Sequence, residues 1–257
     1  MDSIRTNDRK DSILKLLKEN GRVTVSQLAD SFQRSEVTIR SDLAEMEQAG
    51  LLRRVHGGAV SIKRAYYEMT LNDRMDINRE EKIRIAKACA GLVKDSDIIM
   101  IDSGTTNQLL ARELAEHENL TVVTNALLIA QEFGSNRSVN VILLGGHLDI
   151  HYQFTYGIDA VTQLQGYRAD KMFLATDGIG AEYGLTTYHY QELDVSRLMI
   201  ERSNEVVVVA DHSKIGREGF TNVTGISNID IVVTDKSDDN RKKLDALVQL
   251  GIVVMEV

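Results

Sequence analysis

At 257 residues the chain is long for one ordinary domain, and its 43% hydrophobic and 26% charged content is that of a water-soluble globular protein. One cysteine, Cys89, excludes an intrachain disulfide; the polar opening MDSIRTNDRKDS lacks a secretory core, and the longest apolar runs are strand-sized, so a cytoplasmic protein is expected, with no membrane partner. The net charge of −8 hides an asymmetry, because residues 1–65 hold twelve Lys/Arg against nine Asp/Glu and the remainder is strongly acidic. A modestly basic head on an acidic body suits a nucleic-acid module joined to another domain.

Three short helices open the chain. Residues 8–19 place Ile13, Leu16 and Leu17 on one face and end at Asn20-Gly21, a C-cap pair. Thr24 caps a second helix carrying Val25, Leu28 and Ala29 inward. Ser35 caps a third, which runs to Gly50 with Ile39, Leu43 and Met46 on one stripe. Its other face is small, with Val37, Ser41 and Ala44, and is flanked by Thr38 and Arg40. Residues 51–60 then read as two short strands around Arg53, Arg54, His56 and a Gly-Gly pair. This order is the plan of a winged helix-turn-helix, in which the third helix enters the major groove of double-stranded DNA. Ser35, Val37, Thr38, Arg40 and Ser41 are its candidate DNA-facing residues. Arg53, Arg54 and His56 are candidates for phosphate or minor-groove contact. A trihelical protein-interaction scaffold with a solvated basic rim would show a similar pattern.

Residues 63–80 lack periodicity and read as a linker between a head at 1–62 and a larger domain at 81–257. A helix bearing Ile83, Ile85, Ala86, Cys89 and Leu92 opens that domain. Apolar strands at 97–101, 120–124, 139–144, 170–175, 205–210, 229–234 and 252–256 follow. Helices such as 106–117, 126–134 and 238–250 alternate with them. That alternation predicts an α/β fold with a mostly parallel sheet covered on both faces. After the strand at 98–101, Asp102-Ser103-Gly104-Thr105-Thr106 runs straight into a helix, a loop suited to an anion. Thr124-Asn125, Gly145-Gly146 and Asp177-Gly178 are expected at the same sheet edge. Each glycine pair alone reads more readily as turn chemistry; it is their number at one edge that points to a site. His147 and His151 with Asp149 between them lack a third ligand, so no metal or cofactor is expected. Cys89 falls on an apolar helix stripe and reads as core.

The string Ser35-Glu36-Val37-Thr38-Ile39-Arg40-Ser41-Asp42-Leu43, followed by Gly50-Leu51, Arg54 and His56-Gly57-Gly58-Ala59, resembles the DNA-binding signature of the DeoR family of bacterial transcriptional regulators. Glu36 stands where that family often has proline, and Ser41 where it often has a second basic residue. The larger domain resembles the same family's sensor, whose fold is related to ribose-5-phosphate isomerase and CoA transferases. The matching stretches are 102–106, 124–125, 145–146, 177–178, Gly184-Leu185-Thr186-Thr187, Glu192 and Ala210-Asp211-His212-Ser213-Lys214-Ile215-Gly216. The resemblance implies a repressor of a carbohydrate operon that binds a phosphorylated sugar or sugar-derived effector and works as a dimer or tetramer. It implies sugar-hydroxyl contacts at Asp177 and Glu192, phosphate neutralisation by Lys214, and phosphate-loop residues around Asp102, Thr105 and Thr106. His189-Tyr190 departs from the Asn-Glu often found there. The alternative is a sugar-phosphate isomerase with an accessory head, using Asp177, Glu192 and Lys214 as acid and base.

Overall fold

The computed structural model describes residues 2–48, 51–61 and 69–257, with side chains from residue 8 onward. The chain divides into two compact units, Met1–Met69 and Thr70–Val257. The boundary falls inside the aperiodic stretch 63–80.

In the first unit α1 (Asp2–Asn20) begins six residues earlier than its apolar face required. A short strand β1 (Arg22–Thr24) precedes α2 (Val25–Phe32) and gave no sequence signal, since three residues are too few to show alternation. Thr24 Oγ1 accepts from Gln27 N–H at 3.2 Å while Gln27 Oε1 accepts from Thr24 N–H at 3.2 Å, a reciprocal cap. Helix α3 (Glu36–Gln48) starts where Ser35 Oγ accepts from Thr38 N–H. Its expected end at Gly50 lies outside the described residues. Strands β2 (Leu52–Val55) and β3 (Gly58–Ser61) form the wing hairpin, and β1 pairs with the free side of β3. Ile13, Leu17, Leu28, Ile39, Leu43, Met46 and Leu52 close one core beneath them.

The second unit opens with a helix where no periodicity was visible. Thr70 caps α4 (Leu71–Asp76), and α5 (Arg79–Ala90) follows at once. Then come β4 (Ile98–Ile101), α6 (Thr105–Glu113), β5 (Thr121–Thr124), α7 (Leu127–Glu132) and β6 (Asn140–Leu143). A hairpin of β7 (His147–Asp149) and β8 (Phe154–Tyr156) leads to α8 (Ile158–Leu164) and β9 (Ala169–Ala175). Next are β10 (Gly178–Gly180), β11 (Gly184–Thr187), α9 (Leu193–Glu201), β12 (Ser203–Val209) and β13 (Thr221–Thr224). The unit ends with β14 (Ile231–Thr234), α10 (Arg241–Gln249) and β15 (Val253–Glu256).

The seven strands expected from apolar runs form one sheet in the order β15-β14-β12-β9-β4-β5-β6, and every pairing in it is parallel. Along β4 and β9 successive side chains join opposite cores: Met100, Met172 and Leu174 on one face, Ile99, Ile101 and Phe173 on the other. That burial on both faces is why these strands read as continuous apolar runs. The strand order reverses between β4 and β9, because β5 and β6 extend one side while β12, β14 and β15 extend the other. Ligands of doubly wound sheets collect beyond the carboxyl ends at such a reversal. The antiparallel strands β7–β8 and β10–β11–β13 are additions with weak patterns of their own.

Candidate functional site

The two units present different surfaces. On α3, Val37 is 74% exposed and Ser35, Arg40 and Ser41 are exposed, while Ile39, Leu43 and Met46 are buried. A small exposed face of this kind lets a helix backbone come close to a groove. Thr38 is half-buried, with its hydroxyl 2.9 Å from Ser35 Oγ. Among the described residues Arg40 pairs with Glu36 at 2.7 Å in an exposed position, an interaction of at most a few tenths of a kcal/mol that is easily exchanged for phosphate or base.

On the wing Arg53 and His56 are exposed. Arg54 is held differently: Glu47 Oε1 accepts from its backbone N–H and Oε2 from its Nε, each at 2.7 Å. Burial pushes the Glu47 carboxyl up, but these bonds and the nearby Arg53 outweigh it and hold it below the usual range. Arg54 thus anchors the wing to α3. Asp42, inside the recognised string, also turns inward. It is 4% exposed and takes both Arg9 Nε at 2.6 Å and Nη2 at 2.9 Å, tying α1 to α3.

In the second unit the carboxyl ends of β12, β9, β4 and β5 bring a polar cluster together. Asp102 Oδ1 accepts from Asn107 Nδ2 at 2.7 Å and from Ala175 N–H at 2.9 Å, which pins the loop after β4 to β9. Glu192 reaches back over the same loop. Its Oε2 accepts from Ser103 Oγ at 2.7 Å and its Oε1 from Asn125 Nδ2 at 2.7 Å. Burial, with the Glu192 charge second, pushes Asp102 well above the ordinary carboxylate range, and burial raises Glu192 as well. Two buried carboxyls this close favour retention of a proton between them. Asp177 adds a third carboxylate within electrostatic reach, accepting from Tyr188 N–H at 2.8 Å and Thr187 Oγ1 at 3.0 Å.

A cationic side faces them. Lys214, in the single turn His212–Lys214, is lowered by burial against the attraction of Asp211 and Asp177. Lys82 on α5 is 5% exposed and is pushed down to about 8 by burial, opposed by Asp211. Burial raises Asp211, but Lys214, Ser213, Asn78 and Lys82 together hold it low. His189 is buried and pushed down to about 4, so its ring is neutral near pH 7; Nε2 lies 3.1 Å from Arg74 Nη1 and accepts from it, because guanidinium only donates.

Asp102, Ser103, Asn125, Asp177, Glu192 and Lys214 are thus brought together at this sheet edge. Gly104, Thr105 and Thr106 lie at the start of α6 beside them; Gly104 has φ 138°, and a Cβ there would meet Ala175 Cβ at 2.7 Å. Thr124 is fully buried, its Oγ1 accepting from Ala126 N–H. The remaining glycines answer to packing. A Cβ on Gly178 would stand 1.9 Å from Arg217 O, one on Gly146 2.6 Å from Tyr156 O, and Gly145 donates to Gln163 Oε1. Asp149 Oδ1 accepts from the His151 and Tyr152 amides within its own turn, while His147 lies against Tyr156. Sequence reading missed Arg74, Asn78, Lys82, Asn107 and Asp211 as site groups. Lys82 follows two glutamates in a first helical turn, where a charged residue reads as solvated.

Comparison with known proteins agrees with this division. Residues 9–65 match the model described as a DeoR-like helix-turn-helix domain, and residues 77–236 match the DeoR C terminal sensor domain. The chain is 36% identical over 228 residues to the HTH-type transcriptional regulator GolR of Listeria innocua, covering 89% of this chain and 90% of that protein. It is 34% identical over 232 residues to the glycerol-3-phosphate regulon repressor of Escherichia coli (strain K12), covering 90% and 92%. Ribose 5-phosphate isomerase A of Methanocaldococcus jannaschii overlaps 53% of this chain and 54% of its own, at 20% identity and a TM-score of 0.39. With both family models matched in chain order over most of its length, the chain belongs to the DeoR family of transcriptional regulators.

Proposed function

We propose that this regulator is a non-catalytic repressor of a carbohydrate-utilisation operon, released from or held on its operator by a phosphorylated sugar or sugar-derived effector. The observation that carries the effector reading is the mixed cluster of cationic and acceptor groups at the sheet's topological reversal. Lys82 and Lys214 supply cationic charge for a phosphate, and Asp177 and Asn125 supply acceptors for hydroxyls. Asn125 Oδ1 is buried with no hydrogen-bond partner among the described residues, an acceptor a sugar hydroxyl would satisfy. The isomerase alternative is weakened by the same geometry, since Glu192, one of the two carboxyls it would use, already accepts from Ser103 and Asn125 through both of its oxygens. Repeated operator half-sites call for at least two heads, so the working form is read as a homodimer or tetramer.

The test is operator binding by fluorescence anisotropy, with DNA from the control regions flanking this gene. Arg40→Ala is expected to weaken binding by about 1–3 kcal/mol, roughly fivefold to 150-fold, while leaving the melting temperature unchanged. Glycerol 3-phosphate, ribose 5-phosphate and glucose 6-phosphate would then be added to the bound complex. Affinity indifferent to every phosphorylated sugar tried, or isomerase turnover on one of them, would overturn the reading.

A further inference from the structure

We propose that Thr70–Lys82 is a latch on this polar cluster, held closed through Asp211 and released when a phosphate monoester engages Lys82 and Lys214; this rests on the effector reading above. Two side chains of the segment tie it to the rest of the unit, and a third braces it internally. Arg74 donates to His189 Nε2 at 3.1 Å, and its guanidinium lies 4.7 Å over the Tyr152 ring. Lys82 donates to the Arg74 carbonyl, tying α5 back to α4. Asn78 Nδ2 donates to Asp211 Oδ1 at 2.9 Å.

Asn78 is the unusual member. It sits at the N-cap of α5 in the left-handed region, φ 52° and ψ 40°, and its side chain makes no capping bond. A helix start ordinarily uses such a side chain to satisfy the first amides, and a non-glycine residue adopts this backbone at a cost. Both are offset here by the bond to Asp211, so the tether fixes the turn between α4 and α5.

Asp211 is also the carboxylate whose charge acts on both lysines. Lys82, Lys214, Arg74 and Arg217 stand within electrostatic reach of this cluster against Asp211, Asp177 and Asp76. A phosphate monoester brings between one and two further negative charges. Bound at the lysines, it replaces Asp211 as their counter-charge and repels it. The Asn78 tether weakens and the left-handed turn relaxes. Since Thr70 is where the chain enters this unit from the head, freeing α4 frees the attachment point.

Hydrogen exchange on the full chain without DNA tests the latch. Asn78→Gly keeps the left-handed turn and removes the tether. Amides from Arg74 to Lys82 are expected to exchange at least about tenfold faster in it, with those of β9 and β12 unchanged. In the parent protein, glycerol 3-phosphate at a concentration that saturates its thermal shift should speed the same amides, and in Asn78→Gly it should add little. Unchanged exchange in Asn78→Gly overturns the tether. A thermal shift accompanied by unchanged or slower exchange at 74–82 overturns the latch and leaves the effector reading standing. No thermal shift from glycerol 3-phosphate, ribose 5-phosphate, glucose 6-phosphate or inorganic phosphate sinks the effector reading and the latch with it.

Discussion

At the scale of single residues, Asp102 shows how a motif residue takes a role its type did not announce. It stands in the loop expected to receive an anion, yet its Oδ1 is committed to Asn107 and Ala175, and burial with Glu192 nearby raises its pKa. The folded chain therefore keeps a proton that the unfolded chain has released above its ordinary value of about 4, so this group's contribution to stability falls as pH rises from there toward the raised value. Asp102→Asn retains an acceptor for both donors and removes the titration. Urea unfolding at several pH values should show the variant gaining on the parent as pH rises above about 4, by up to about 1.4 kcal/mol per pH unit. A parent that gains on the variant as pH rises above about 4 would contradict the protonated carboxyl. Asp42 and Arg54 carry the same lesson in the head: both lie in the recognised signature, and both are spent on internal pairs with Arg9 and Glu47.

At the scale of elements, the wing turns on two adjacent glycines with different reasons to be glycine. Gly57 has φ 77° and open space around an added Cβ, whereas a Cβ on Gly58 would lie 2.0 Å from the Val23 carbonyl oxygen. Gly57→Ala is therefore expected to cost only the left-handed strain, about 1–2 kcal/mol. Gly58→Ala must push β1 off β3, and calorimetry should find the head's unfolding transition lost or lowered far more than in Gly57→Ala. Equal losses would place the constraint in the turn rather than in the β1–β3 contact. The Gly-Gly pair was visible in the sequence; its asymmetry was not, because β1 is only three residues long. Helix α4 was hidden for a related reason. Six residues with no buried side chain give no apolar period to read.

At the scale of the molecule, a chain of net charge −8 is expected to bind a polyanion through a local basic surface. Binding should fall steeply with salt, and Arg53→Ala should reduce the slope of log Kd against log salt by about 1, as removal of one phosphate contact does. Arg54→Ala mixes that loss with release of Glu47, so its melting temperature should drop as well. An Arg53→Ala slope equal to the parent's would remove the wing from the interface.

The sequence by itself determined the two-part order, the seven parallel strands and the exposed face of α3. Those features are written in local periodicity, capping residues and unbroken apolar runs, which neighbours along the chain supply. Only the tertiary structure decided which polar residues meet. Arg74, Asn78 and Lys82 join Asp211 and His189 across more than a hundred positions. Glu192 closes over Ser103 and Asn125 from a distant turn. Such contacts arise from the strand order reversing between β4 and β9, a long-range property of the sheet that no local pattern encodes.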